Sequence, residues 1–177
     1  MSFHQNYFEL FGLGVSFALD GGSLTARYRD LQKVLHPDRF ANASDQERRL
    51  SLQQAAQVNS AYDTLRDPLS RARYLLRLQG LEYNDESSTI NDLDFLEEQM
   101  ALRERLAEIR HDTNPTALLD DFMAKLDTRS REYIDGLSEL FATPDSMDMG
   151  RAKNLVQRMQ FVRRLQAEGE ALEELLM

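Results

Sequence analysis

Four prolines, at positions 37, 68, 115 and 144, divide a chain whose apolar residues recur at helical spacing and nowhere alternate with period two. Proline lacks the backbone N–H and disfavours helix at the residue before it, so each one marks a boundary. The chain is therefore expected to be all-α. Leu24, Tyr28, Leu31 and Leu35 share one face of a segment running from about Ser23 to Leu35, which Pro37 stops. Ser44 followed by Glu47 has the pattern of a capping box and opens a second helix to Arg66, with Leu52, Ala55, Val58, Tyr62 and Leu65 as its buried stripe. Asp67-Pro68 reads as a cap and first helical position, and the helix from Pro68 to Gln79 is apolar on more than one face (Leu69, Ala72, Tyr74, Leu75, Leu76 and Leu78).

After Gly80 the run GLEYNDESSTIND, residues 80–92, is polar and turn-rich and reads as a linker. Three further helices follow, at about 92–111, 115–142 and 148–175, with Asn114-Pro115 repeating the cap pattern of Asp67-Pro68. Leu119, Phe122, Leu126, Tyr133, Leu137 and Leu140 form the inner face of the middle one, and Leu155, Met159, Val162 and Leu165 that of the last. Two antiparallel helices with short companions in the amino half, then an antiparallel three-helix bundle, is the simplest packing. The expected domains are 1–79, including a junction helix 68–79, and 93–177, with 80–92 between them.

Charge divides the chain the same way. Residues 1–79 carry 10 Lys+Arg against 8 Asp+Glu, while residues 80–177 carry 11 against 22, within a net charge of −9. So acidic a carboxyl half argues against binding to nucleic-acid phosphates. Opposite signs suggest two surfaces with different partners, or simply a solvated acidic face. Cysteine is absent, which excludes disulfides, Cys-based zinc sites and thiolate ligation of a cluster. Three histidines far apart in sequence do not suggest a metal site either. No apolar run is long enough to span a membrane and the first residues are no signal peptide, so a soluble cytoplasmic protein is expected.

Chemistry concentrates at His36-Pro37-Asp38, a turn at the end of the basic helix whose outer face carries Arg27, Arg29 and Lys33. His36 and Asp38 share one turn, and neither a nucleophile nor a Gly-rich phosphate loop accompanies them, so no catalytic residue is assigned and an enzyme is not expected. A second feature lies on the helix near 92–111. Phe95, Leu102, Leu106 and Ile109 share one direction, whereas Leu93, Leu96 and Met100 point roughly 100–160° away at about 100° per residue. That second stripe either packs at the domain junction or forms an exposed patch for a partner.

The order NYFELFGL (6–13), His-Pro-Asp after a basic helix, and VNSAYDTLRDP (58–68) resembles the J-domain of DnaJ-type co-chaperones. With LSRARYLLRLQG, DFLEEQMALRERLAEI and the acidic carboxyl half, nearly the whole chain resembles the HscB-like family, the J-type co-chaperones of iron–sulfur cluster assembly. The resemblance implies that the His-Pro-Asp loop docks on the ATPase domain of the DnaK-class chaperone HscA. Arg27, Arg29 and Lys33 would meet an acidic groove, Asp38 would pair with a chaperone arginine, and His36 and Pro37 would shape the turn. It also implies that the carboxyl domain binds the scaffold IscU through Leu96, Met100 and Glu104, with Phe161 as an exposed anchor from the last helix and Arg103 on the rim. Glu97 stands where the family pattern has an apolar contact, and Ala101 where it has an acid. Neither the Cys-containing extension of some eukaryotic relatives nor the Gly/Phe-rich linker and zinc module of full DnaJ proteins is present, which agrees with a compact bacterial member. The implied protein is a cytoplasmic regulator of a chaperone ATPase, without cofactor, metal, nucleic acid or membrane. The competing readings are a J-protein with another client and a structural helical adaptor in which His-Pro-Asp is incidental.

Overall fold

Side-chain caps start the first three helices. Asn6 and Glu9 form a capping box at α1 (Tyr7–Leu10), with the Glu9 N–H donating to Asn6 Oδ1 at 2.9 Å and the Asn6 N–H to Glu9 Oε2 at 3.1 Å. Asp20 accepts from the Gly22 and Ser23 N–H groups, so α2 (Gly21–Leu35) begins two residues earlier than the apolar stripe suggests. Ser44 and Glu47 cap α3 (Asp45–Arg66) as the sequence pattern predicts. These elements belong to a computed structural model that describes residues 5–36, 43–81 and 93–176.

Asp67 closes α3 and opens α4 (Pro68–Leu78), its carboxylate accepting from the Ser70 N–H at 2.8 Å. Then come α5 (Leu93–Ile109), α6 (Pro115–Ala142), a 3₁₀ turn at Pro144–Ser146 and α7 (Met149–Leu176). Among the described residues the fold is all helical. Pro115 holds the first position of α6, but the Asn114 side chain makes no cap bond; Asp112 Oδ1 instead accepts the Asn114 N–H at 3.1 Å and turns the chain there. The chain divides into two compact units, Met1–Leu75 and Leu76–Met177.

In the first unit α2 and α3 are antiparallel. Thr25 lies opposite Tyr62, Tyr28 opposite Asn59, and Leu35 opposite Ser51. Leu24, Leu35, Val58, Ala61 and Leu65 are buried, with Phe8, Phe11 and Phe17 from the amino-terminal segment. Tyr74 of α4 is buried as well; it stacks on Tyr7 at 4.5 Å and accepts the Tyr7 N–H at 2.8 Å. The buried Arg71 donates to the Leu65 carbonyl at 2.8 Å and lies over the Phe17 ring, while burial pulls its guanidinium pKa below the ordinary arginine value. Leu52, expected inside, is 61% exposed. The inner line of α3 runs through Ser51, Val58, Ala61 and Leu65, and Leu52 lies about 100° off it. The Ser51 hydroxyl instead donates to the Leu35 carbonyl left open at the end of α2. Leu78 is exposed too, so the apolar width of α4 is narrower than its sequence suggests.

In the second unit, Gly136 faces Leu155, Asp127 accepts from Gln166, and Met123 faces Gly169, so α6 and α7 run antiparallel. A Cβ at Gly169 would overlap the Met123 sulfur, and glycine there lets the helices close. Phe95, Leu106, Ile109, Leu119, Phe122, Leu126, Phe161, Val162, Leu165 and Leu172 form the core, with Leu102 and Tyr133 partly buried against it. Leu137 is buried as expected, whereas Leu140 and Leu155 are only half-buried.

Truncation should separate the true stripe of α3 from the apparent one. Leu65→Ala is expected to cost about 3 kcal/mol through the cavity it leaves, and Leu52→Ala less than about 0.5 kcal/mol. Urea unfolding followed by helical circular dichroism measures both, and similar midpoints would contradict this inner face.

Candidate functional sites on α2 and α5

The helix α2 ends at His36, whose extended backbone (φ −58°, ψ 132°) is what a following proline imposes. Pro37 and Asp38 lie outside the described residues. Arg29, Lys33 and His36 are exposed and line one open cavity of about 780 Å³ between α2 and α3, over Leu35, Ala55 and Val58. Lys33 also pairs with Asp30 at 3.0 Å, an exposed pair of small energetic weight. Arg27 does not join this cavity. Its Nη1 donates to the Phe11 carbonyl at 3.0 Å, beside Gly12 in the left-handed region (φ 61°), where any side chain would crowd the guanidinium. One arm of this outer-face cation thus holds the segment before α2.

Sequence reasoning missed the tyrosines beside the cavity. The Tyr28 and Tyr62 rings stack at 3.9 Å, 9° from parallel; Tyr28 donates to Asn59 Oδ1 at 3.0 Å, and Gln32 donates to the Tyr28 hydroxyl. Both tyrosines lie on predicted inner stripes, but their stacking required the α2–α3 register.

On α5 the two apolar stripes part. Phe95, Leu106 and Ile109 are buried, whereas Leu93, Leu96 and Met100 are 75%, 51% and 65% exposed. Arg103 and Glu104 are exposed on the same side, about two turns beyond Leu96 and one beyond Met100, and Glu97 and Ala101 are exposed too. The structure brings Leu96, Met100, Arg103 and Glu104 onto one ridge and adds Leu93, which the sequence placed in the stripe but not in the site. Phe161 departs from expectation. It is only 7% exposed, meeting Phe95 edge-on at 5.8 Å with the Arg103 guanidinium 5.6 Å above its ring. Its offset from the Met159/Val162 stripe turns it towards α5, not outward.

The flank of α5 away from the ridge carries Glu98, half-buried and ion-paired to Arg129 of α6 and, at 3.1 Å, to Arg158 of α7. Arg158 stacks on Phe95 at 4.3 Å and its Nε donates to Asn154 Oδ1 at 2.7 Å. Burial, then the Glu98 charge, raises the pKa of Tyr133 nearby, against the opposing effect of Arg158 and Arg129, so its phenol stays protonated at neutral pH. No spacing rule pairs residues 98, 129 and 158, and this cluster was missed. Among the described residues no cluster of three metal-ligating side chains occurs, and no helix is long and apolar enough to cross a membrane.

A family model described as the HSCB C-terminal oligomerisation domain matches residues 91–170. The Co-chaperone protein HscB homolog of Vibrio cholerae serotype O1 is 44% identical over 98% of this chain and 99% of its own length. That of Shewanella halifaxensis is 40% identical over 97% and 99%. The solved structure of Chaperone HscB from Vibrio cholerae superposes with a TM-score of 0.87 at 43% identity, covering 98% of this chain and all of that one. The crystal structure of human co-chaperone protein HscB gives 0.89 at 30% identity, covering all of this chain and 86% of the other.

The Ser44–Glu47 cap at the start of α3 has a pH signature. Hydrogen bonds from the Ser44 side chain and backbone hold the Glu47 carboxyl below the ordinary glutamate value. A depressed folded pKa means that the cap contributes above the ordinary value and fades as pH falls through the folded one. Carboxyl-carbon NMR titration should find Glu47 titrating low, and moving part of the way back in Ser44→Ala, which removes the hydroxyl bond and keeps the backbone one. An unchanged midpoint in that variant would refute the cap as the cause.

Proposed function

The chain belongs to the HscB family of co-chaperones, and on that premise we propose that it couples the DnaK-class chaperone HscA to the iron–sulfur scaffold IscU in the cytoplasm. Residues 1–79 act as the J-domain and 93–177 as the scaffold-binding domain, joined by 80–92. ATP hydrolysis belongs to the chaperone; this protein contributes binding energy and position.

The observation that carries the reading is the solvent-facing ridge Leu93, Leu96 and Met100, three large apolar side chains on one helix face with Arg103 and Glu104 at its edge. Such a patch costs solubility unless a partner covers it. A central apolar strip with a charged rim is the usual anatomy of a protein interface. Phe161 contributes from beneath, as the surface on which Phe95 and Arg103 rest, not by touching the scaffold. Glu97 and Ala101 flank the strip, so polar contacts there differ from the family pattern.

The basic groups of α2 serve the other partner. Arg29 and Lys33, beside His36, steer encounter with an acidic chaperone surface, and Arg27 adds its field while tied to Phe11. Asp38 pairs with a chaperone arginine, favouring the hydrolysis-competent state by its preference for that state. Holding scaffold and chaperone in one molecule raises their effective concentration.

The test is the ATPase rate of HscA with this protein, with IscU and with both. Synergistic stimulation is expected. Asp38→Asn should abolish it while leaving scaffold binding intact, and Leu96→Ala or Met100→Ala should each weaken scaffold binding about tenfold. Stimulation indifferent to IscU would point to a J-protein with another client. No stimulation at all would leave a helical adaptor with an incidental His-Pro-Asp.

A further inference from the structure

A helix with two apolar stripes has two ways to bury one of them. On α5 the buried stripe is Phe95, Leu106 and Ile109, and the other, Leu93, Leu96 and Met100, starts about 100° further round. Along the first two turns leucine and methionine would be buried almost as favourably as Phe95, so hydrophobicity alone discriminates weakly there; further on, the same roll would turn Leu106 and Ile109 outward and Arg103 inward, which opposes it. α5 buries only three side chains fully, with Leu102 half-buried, so the bundle holds it through few apolar contacts.

Glu98 breaks this near-symmetry. It lies about 60° from Phe95 on the flank opposite the ridge, and its two carboxylate oxygens receive guanidinium groups from different helices, Oε1 from Arg129 of α6 and Oε2 from Arg158 of α7. All three side chains are between 22% and 35% exposed, so the pairs are less screened than those on the surface. A roll of α5 that carried Leu96 to the position of Phe95 would swing Glu98 towards solvent. It would break both pairs and leave Arg129 and Arg158 near one another without their shared carboxylate. Arg158 would also lose the Phe95 ring on which it lies.

We propose that Glu98 is the positioning residue of the scaffold-binding ridge: by pairing with Arg129 and Arg158 it sets the rotational register of α5 that turns Leu96 and Met100 outward. Partly buried charges specify register in this way where apolar packing leaves it undecided. The binding half of the inference rests on the scaffold-docking reading above; the register half does not.

Because the chain has no cysteine, one introduced thiol reports on register without interference. Met100→Cys in otherwise native protein is expected to react rapidly with a soluble disulfide reagent. Adding Glu98→Gln, which keeps the shape and removes the charge, should slow that reaction about fivefold as the inward register gains population. Adding Arg129→Gln instead leaves the Arg158 pair and should give a smaller slowing, so the series stays informative if Glu98→Gln folds poorly. Mere loosening of the bundle would speed the reaction or leave it unchanged, and either result overturns the proposal. The second readout is IscU affinity of Glu98→Gln without the introduced cysteine. It should fall about tenfold, with Glu98→Asp recovering part of it and stimulation of HscA in the absence of IscU unaltered. Slowed labelling with undiminished IscU affinity would uphold the register and overturn the ridge as the scaffold surface.

Discussion

The edge-on contact between Phe95 and Phe161 is the hinge of the carboxyl-terminal unit. Phe95 is almost completely buried, Phe161 lies against it, and a guanidinium covers each ring, Arg158 on Phe95 and Arg103 on Phe161. Aromatic pairs in this geometry add attraction beyond their buried area, and the cation over each face adds more. With Phe95 inside, the 3.6-residue period of α5 leaves Leu93, Leu96 and Met100 no choice but to face solvent. The exposed ridge thus follows from which residues of the same helix face the core, a choice proposed above to be held by Glu98 through Arg129 and Arg158.

The amino-terminal unit solves a different problem. Its long helices close on each other through Leu35, Val58 and Leu65, but much of the α2–α3 seam is polar and aromatic: stacked Tyr28 and Tyr62, with Thr25 and Asn59 hydrogen-bonded to them. Such contacts require one register, because a stacked ring or a hydrogen bond fails when displaced by a residue while a leucine contact tolerates it. The same register brings Arg29, Lys33 and His36 to one cavity and points Arg27 the other way, towards the Phe11 carbonyl. A basic helix is thus divided between a side that lines the cavity and a side that braces its own chain.

The places where sequence and structure part have a common cause. Leu52 was assigned to the core from spacing and is exposed, while Ser51 beside it is buried because the open Leu35 carbonyl needed a donor. The family resemblance implies an exposed Phe161, and its offset from one apolar stripe agrees, yet the ring enters another interface, against Phe95. Asn114 had the composition of a cap and does not act as one, since Asp112 already turns the chain. For Ser51 and Phe161 a local rule met a neighbour distant in sequence, and for Asn114 it met a competing turn two residues away. Glu98 is the extreme instance, its partners lying 31 and 60 residues away.

Periodicity, proline positions and the Ser44–Glu47 box were enough to determine the all-α character, the order of the long helices and most of the bundle core, because those features are written within a few turns of one helix. Resemblance of short motifs carried the family. Tertiary structure alone decided which stripe of α5 faces water, which arginine of α2 is committed to its own chain, and how Glu98 is neutralised. Those outcomes depend on pairwise contacts between helices, and a one-dimensional pattern records the faces of each helix without recording what they meet.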